Sequence, residues 1–213
     1  GPNGLATYND IVKYEALLPA AAGDSFEVFF DGSDVGLSGR AEQIDSLSVW
    51  LPGDFVPVAV GVPGDCTAGL LFITTAANYR VPAADGTSLT GKGGDILAFC
   101  ATNLGPNTAG FWFRAFSATA AGFHPLRTVR NLTVHDFAYD SNTGEWGLYI
   151  SFSARTDFQM GAFSGYVNNV YLMDTTDLTP TLQVDLSTDY PTLNGTADGL
   201  EIEPYLVICS SDC

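Results

Sequence analysis

The chain has little with which to do acid–base or nucleophilic chemistry. It holds two histidines, His124 and His135, and lacks a Gly-x-Ser-x-Gly elbow, a P-loop, a dinucleotide fingerprint and a zinc-protease helix motif. His135 falls inside an alternating strand pattern and His124 precedes Pro125, places that suit structural or exposed residues better than a positioned base. Basic residues are also scarce. Eight Lys+Arg, with Lys13 and Lys92 the only lysines, stand against 24 Asp+Glu for a net charge of −16. Such a surface repels nucleic acid and anionic membrane and favours cations or cationic partners, so nucleic-acid binding is excluded. No apolar run is long enough to span a bilayer, and membrane insertion is not expected. Helical periodicity is almost missing as well: the stretch 16–23 suits one turn, but Pro19 favours a loop.

What is present is strand grammar. Runs rich in apolar and β-branched residues, bounded by Gly, Asp, Asn and Pro, recur along the whole chain: Asp10–Glu15, Ser25–Phe30, Ile44–Trp50, Gly69–Thr75, Asp95–Cys100 and Gly110–Phe116. Val129–Phe137, Trp146–Ser153, Asn168–Met173, Thr181–Leu186 and Leu200–Ile208 follow. With charged residues at 15% of the chain, Ser, Thr, Asn and Gly must finish the surface, a texture common in secreted β proteins.

An internal repeat organises these strands. NDIVKYEALLPAAAGDSFEVFF from Asn9 parallels GDILAFCATNLGPNTAGFWFRAF from Gly94 and, more faintly, NNVYLMDTTDLTPTLQVDL from Asn168. A linking motif recurs too, at Ile44-Asp45-Ser, Arg130-Asn131-Leu and Ala197-Asp198-Gly, each with a short polar side chain before a strand. Asp10 and Asp95 lie 85 positions apart, Asp45 and Asn131 lie 86 apart. The unit is therefore four strands long, and the expected fold is all-β, made of antiparallel four-stranded sheet repeats in a β-propeller-like arrangement. A two-sheet β-sandwich is the alternative, because hairpin grammar alone does not separate the two. The chain reads as one domain of about two and a half repeats: strands of an incomplete unit at 9–43, units at 44–116 and 129–186, and a closing strand at 198–208. Sheet edges left over by this count make self-association an expectation.

FDGSDVGL, the following Ile-Asp-Ser-Leu strand, LLFITTAANYRVP and GGDILAFCATNLGPNTAG together resemble a repeat of secreted and cell-surface proteins of bacteria and some algae. The likeness is close from Asp10 to Gly110 and loose afterwards, where Ser117 stands in the place of Asp31. It implies a propeller-type module at an extracellular or cell-surface location and carries over no catalytic chemistry.

Four cysteines in a small, lysine-poor chain suggest an oxidising compartment. If Gly69–Thr75 and Asp95–Cys100 are antiparallel neighbours, the start of one lies opposite the end of the other, and Cys66 and Cys100 come within bridging range. Cys209 and Cys213 then pair with each other or stay free. Asn131-Leu-Thr and Asn194-Gly-Thr fit the N-glycosylation acceptor pattern, although at Asn131 a structural hydrogen bond at the strand start competes with that role.

The most informative polar cluster is Asp31-Gly32-Ser33-Asp34. Two carboxylates and a hydroxyl on a glycine turn are hard oxygen ligands suited to Ca²⁺, with Asp31 and Asp34 as its carboxylate donors. The competing reading is a turn in which the Asp side chains bond nearby backbone N–H groups. Trp112 and Trp50 sit in strands. Either they pack between sheets or they offer a ring face for stacking on a sugar. These features lead to the expectation of a non-enzymatic extracellular structural or adhesion module, calcium-stabilised if the turn binds metal, whose partners are other extracellular or surface proteins or glycans. A carbohydrate-binding, lectin-like domain is the alternative, and a propeller glycosidase or lyase using a carboxylate pair is the weaker one.

Overall fold

GLLFITT, residues Gly69–Thr75, shows no alternation of apolar and polar side chains, which marks a strand covered on both faces. A computed structural model of the chain describes residues 6–15, 25–52, 66–120, 129–140, 145–154, 158–160, 163–165, 169–174 and 180–185, and in it every residue of that strand is buried. The elements in order are β1 (Ile11–Glu15), β2 (Ser25–Phe30), β3 (Ile44–Trp50), β4 (Gly69–Thr75), β5 (Tyr79–Pro82), β6 (Ser88–Gly91) and β7 (Ile96–Asn103). They continue with β8 (Ala109–Phe116), β9 (Val129–Asp140), β10 (Glu145–Ala154), β11 (Phe158–Met160), β12 (Phe163–Gly165), β13 (Asn169–Asp174) and β14 (Pro180–Asp185). The protein is all-β, with antiparallel sheets and no α-helix among the described residues.

Two sheets have four strands each, in the order β3-β4-β7-β8 and β9-β10-β13-β14, and their first strands, β3 and β9, lie against each other. β1 and β2 form a separate hairpin. The sheets are not closed on one another among the described residues. Two short hairpins, β5–β6 and β11–β12, went unseen in the sequence because runs of three or four residues carry too little periodicity to register. In β5–β6 the turn is stabilised locally, with Asp85 Oδ1 accepting from Thr87 N at 2.9 Å and from Thr87 Oγ1 at 2.6 Å. The closing strand expected at 198–208, and the one-turn alternative at 16–23, lie outside the described residues.

The repeat extends to bulges and hydrogen bonds. In β1–β2, Ile11 faces Phe30 and Val12 faces Val28. In β7–β8, Ile96 faces Phe116 and Leu97 faces Arg114, so each hairpin skips one residue of its second strand at the same place. Val170 facing Val184 and Tyr171 facing Leu182 reproduce the skip in β13–β14. The linking motif has its own bulge: Ile44 faces Thr75 and Ser46 faces Thr74, leaving Asp45 over, while Val129 faces Ala154 and Asn131 faces Ser153, leaving Arg130 over. Asn131 therefore corresponds to Ser46 and not to Asp45 as the sequence pattern suggested, and the spacing is the same 85 positions as from Asp10 to Asp95.

One core cluster sits on one face of the first four-stranded sheet. Leu71 and Ile73 of β4, Leu97, Phe99 and Ala101 of β7 and Trp112 of β8 pack with Tyr79 and Val81 of β5, and Phe30, Val35 and Leu37 close over them. Phe30 meets Phe99 at 5.2 Å and Trp112 at 6.1 Å, both edge-on, and Phe99 lies 4.7 Å from Trp112. Such ring pairs each contribute about 0.5–1.5 kcal/mol beyond their buried area.

Cys66 and Cys100 are joined, with Cα atoms 4.7 Å apart and 34 positions apart in sequence. The antiparallel pairing of β4 with β7, in which Leu70 faces Cys100, places them there. By the loop-entropy account, replacing both cysteines with alanine should lower stability by about 3–4 kcal/mol. Urea denaturation of the oxidised protein and of the double variant measures the difference as a shift of midpoint, and coincident midpoints would show that the bridge constrains nothing in the unfolded chain.

Candidate functional site

The turn FDGSDVGL, residues 30–37, is the place where the sequence concentrates polar chemistry, and the structure assigns almost every letter of it. Phe30 ends β2 fully buried. Asp31 then adopts an extended backbone and caps a 3-10 turn, Gly32–Val35, by accepting from Ser33 N at 3.0 Å and Ser33 Oγ at 2.6 Å through the same oxygen, Oδ1. Its own N–H donates to Thr108 Oγ1 at 2.8 Å, and the Thr108 hydroxyl in turn donates to Gly105 O at 2.7 Å. Gly32 is required by close approach: a Cβ there would lie 2.1 Å from the carbonyl oxygen of Asn9. Gly36 ends the turn at φ +96, where a side chain is strained and would also meet Pro82. Val35 and Leu37 are buried, and the carbonyl of Val35 accepts Trp112 Nε1 at 2.8 Å.

Asp31 and Asp34 are thus separated by environment. Asp31 is 6% exposed with its Oδ1 committed to Ser33, whereas Asp34 is exposed. Burial by itself raises the pKa of Asp31, and the hydrogen bonds and positive charge that favour its ionised form, Ser33 among the donors, more than offset this, so it lies below the ordinary 3.8. Among the described residues no three of His, Cys, Asp and Glu converge as a metal-ligating group. Asp31 is a capping carboxylate of the turn and Asp34 an exposed one. Asn9, 2% exposed, supports the same turn from below by donating Nδ2 to Leu37 O at 2.8 Å and to Gly39 O at 3.3 Å; its Oδ1 has no hydrogen-bond partner among the described residues.

Neither Trp112 nor Trp50 offers a ring face to solvent. Trp112 is 1% exposed and sits under Phe30, and Trp50 is 7% exposed at the end of β3. The sugar-stacking role expected of exposed Trp112 and Trp50 is corrected accordingly: strand alternation put Trp112 on the face that β2 and its turn cover. Asn131 lies in β9 at the strand-start bulge, and Asn194, Cys209, Cys213 and His124 lie outside the described residues.

A second polar cluster escaped the sequence because its members come from three separated segments. Asp95, 4% exposed just before β7, accepts Tyr79 Oη at 2.9 Å and Lys92 N at 3.3 Å on Oδ2, and Ala118 N at 2.9 Å on Oδ1. Arg114 of β8 donates Nε to Tyr79 Oη at 3.0 Å, stands 3.4 Å from Asp95 Oδ2, and reaches Thr90 O with Nη2. The one visible signal was the acid before the strand, which the repeat shares with Asp10. Burial, and secondarily the neighbouring Asp95 charge, push the Tyr79 hydroxyl well above its ordinary pKa of 10.0, with Arg114 working in the opposite direction.

With this geometry in place, comparison with known proteins gives no relative to lean on: no family model, curated protein or solved structure matches the chain significantly. The chemistry of the site has to be read from its own hydrogen bonds.

Two outcomes follow from them. Because the pKa of Tyr79 is raised in the folded state, its contribution is complete below about pH 10 and is lost as pH rises further, since the unfolded chain then ionises first. Tyr79→Phe should lower stability at neutral pH by about 1–2 kcal/mol and remove part of the alkaline destabilisation. Thermal melts of both proteins from pH 7 to 11 measure this, and parallel alkaline limbs would contradict the raised pKa. Trp112→Phe, which orphans the Val35 carbonyl, should cost about 1–3 kcal/mol in the same assay without loss of the disulfide.

Proposed function

We propose that the chain is a non-enzymatic structural or adhesion module of an extracellular or cell-surface protein, built of propeller-like four-stranded repeats. The observation that carries this reading is where the acids go. Asp31, Asp95, Asp10 and Glu42 spend their oxygens on the protein's own backbone: Asp10 takes Gly32 N at 3.0 Å and Thr7 N at 2.6 Å, and Glu42 takes Ser38 N, Gly39 N and Arg80 N at 2.7–3.0 Å. Groups consumed in this way hold repeats in shape and are not presented to a substrate.

Three further features support the reading. The Cys66–Cys100 bridge is compatible with an oxidising compartment. No helix among the described residues is long and apolar enough to cross a membrane. The neighbouring first strands β3 and β9 suit the inner strands of successive propeller blades, and the resemblance of FDGSDVGL and GGDILAF to repeats of secreted bacterial and algal proteins agrees with that arrangement. Partners would be other extracellular proteins or glycans, met through surface chemistry and not through a deep catalytic cleft.

Melting with calcium and with magnesium tests the structural role of the turn. Equal small shifts, as expected from screening of a −16 charge, and unchanged in an Asp31→Asn, Asp34→Asn double variant apart from lower baseline stability, fit the proposal. A calcium-specific rise that the double variant loses would make the module metal-dependent, since a hundredfold excess over the dissociation constant is worth about 2.7 kcal/mol. Turnover on a panel of polysaccharides would overturn the non-enzymatic reading.

A further inference from the structure

We draw no further inference here: the strongest candidate, the Val12, Tyr14 and Phe26 face of the β1–β2 hairpin, exposed where the matching Leu97, Phe99 and Trp112 face of β7–β8 is buried, carries nothing because nothing in the structure shows what covers it.

Discussion

A carboxylate taken out of water is tolerated only where donors replace its hydration, and this protein uses that constraint to set its repeat. Asp10 and Asp95 each stand immediately before a third strand. Each binds the backbone three residues upstream with one oxygen, Thr7 N for Asp10 and Lys92 N for Asp95, and reaches with the other to the turn that follows the fourth strand, at Gly32 N and Ala118 N. One side chain thereby ties the entry of a hairpin to its exit. Hydrogen bonds to an ionised acceptor contribute about 1.5–3 kcal/mol each where the site is protected from solvent, and at Asp95 Tyr79 and Arg114 add to them.

Fixing the exit of the hairpin decides where the next segment travels. After Phe30 the chain is held by Asp10 through Gly32 and by Thr108 through Asp31, which carries Val35 and Leu37 over the face of β7 and β8. Trp112 completes the closure by giving its indole N–H to Val35 O, so the largest apolar side chain of the core also satisfies a buried carbonyl. Polar staple and aromatic core are therefore coupled: loosening the aspartate would move the residues that cover the tryptophan. The second hairpin carries the same staple at Asp95 but has Ser117 where Asp31 stands, which keeps the exit bond, made through Ala118 N, and replaces the carboxylate cap with a hydroxyl that accepts from Ala120 N at 3.3 Å.

The same arrangement gives a physical reason for the acidic composition. Acids at positions 10, 31, 42 and 95 are structural acceptors within the fold, while Asp34, Asp45 and Asp85 are exposed. With few cations to form ion pairs, the described part of the chain satisfies its carboxylates mainly from backbone N–H groups and hydroxyls. The pair Arg114–Asp95 is half inside, and the pair Lys13–Glu27 is exposed and worth little.

Much was legible in the sequence because it is local. Strand positions, the order of the two four-stranded sheets, the repeat starting at Asp10 and Asp95, and the Cys66–Cys100 bridge follow from alternation, turn residues and antiparallel neighbourhood, each settled within a few residues of the chain. The one-residue slip between Asp45 and Asn131 was not legible, since a bulge is defined by the partner strand and leaves no mark in the strand that carries it. Nor was the fate of Trp112 and Trp50: alternation says that a side chain has a face, and only packing says which face meets another layer. The Tyr79–Asp95–Arg114 cluster joins residues from three segments whose approach depends on sheet order, and the contrast between Tyr14–Phe26 and Phe99–Trp112 arises because identical hairpins acquire different neighbours. The sequence by itself determined the unit and its internal bonds; only the tertiary structure decided which copies of that unit are covered, because burial is a property of what lies across the gap and not of the strand.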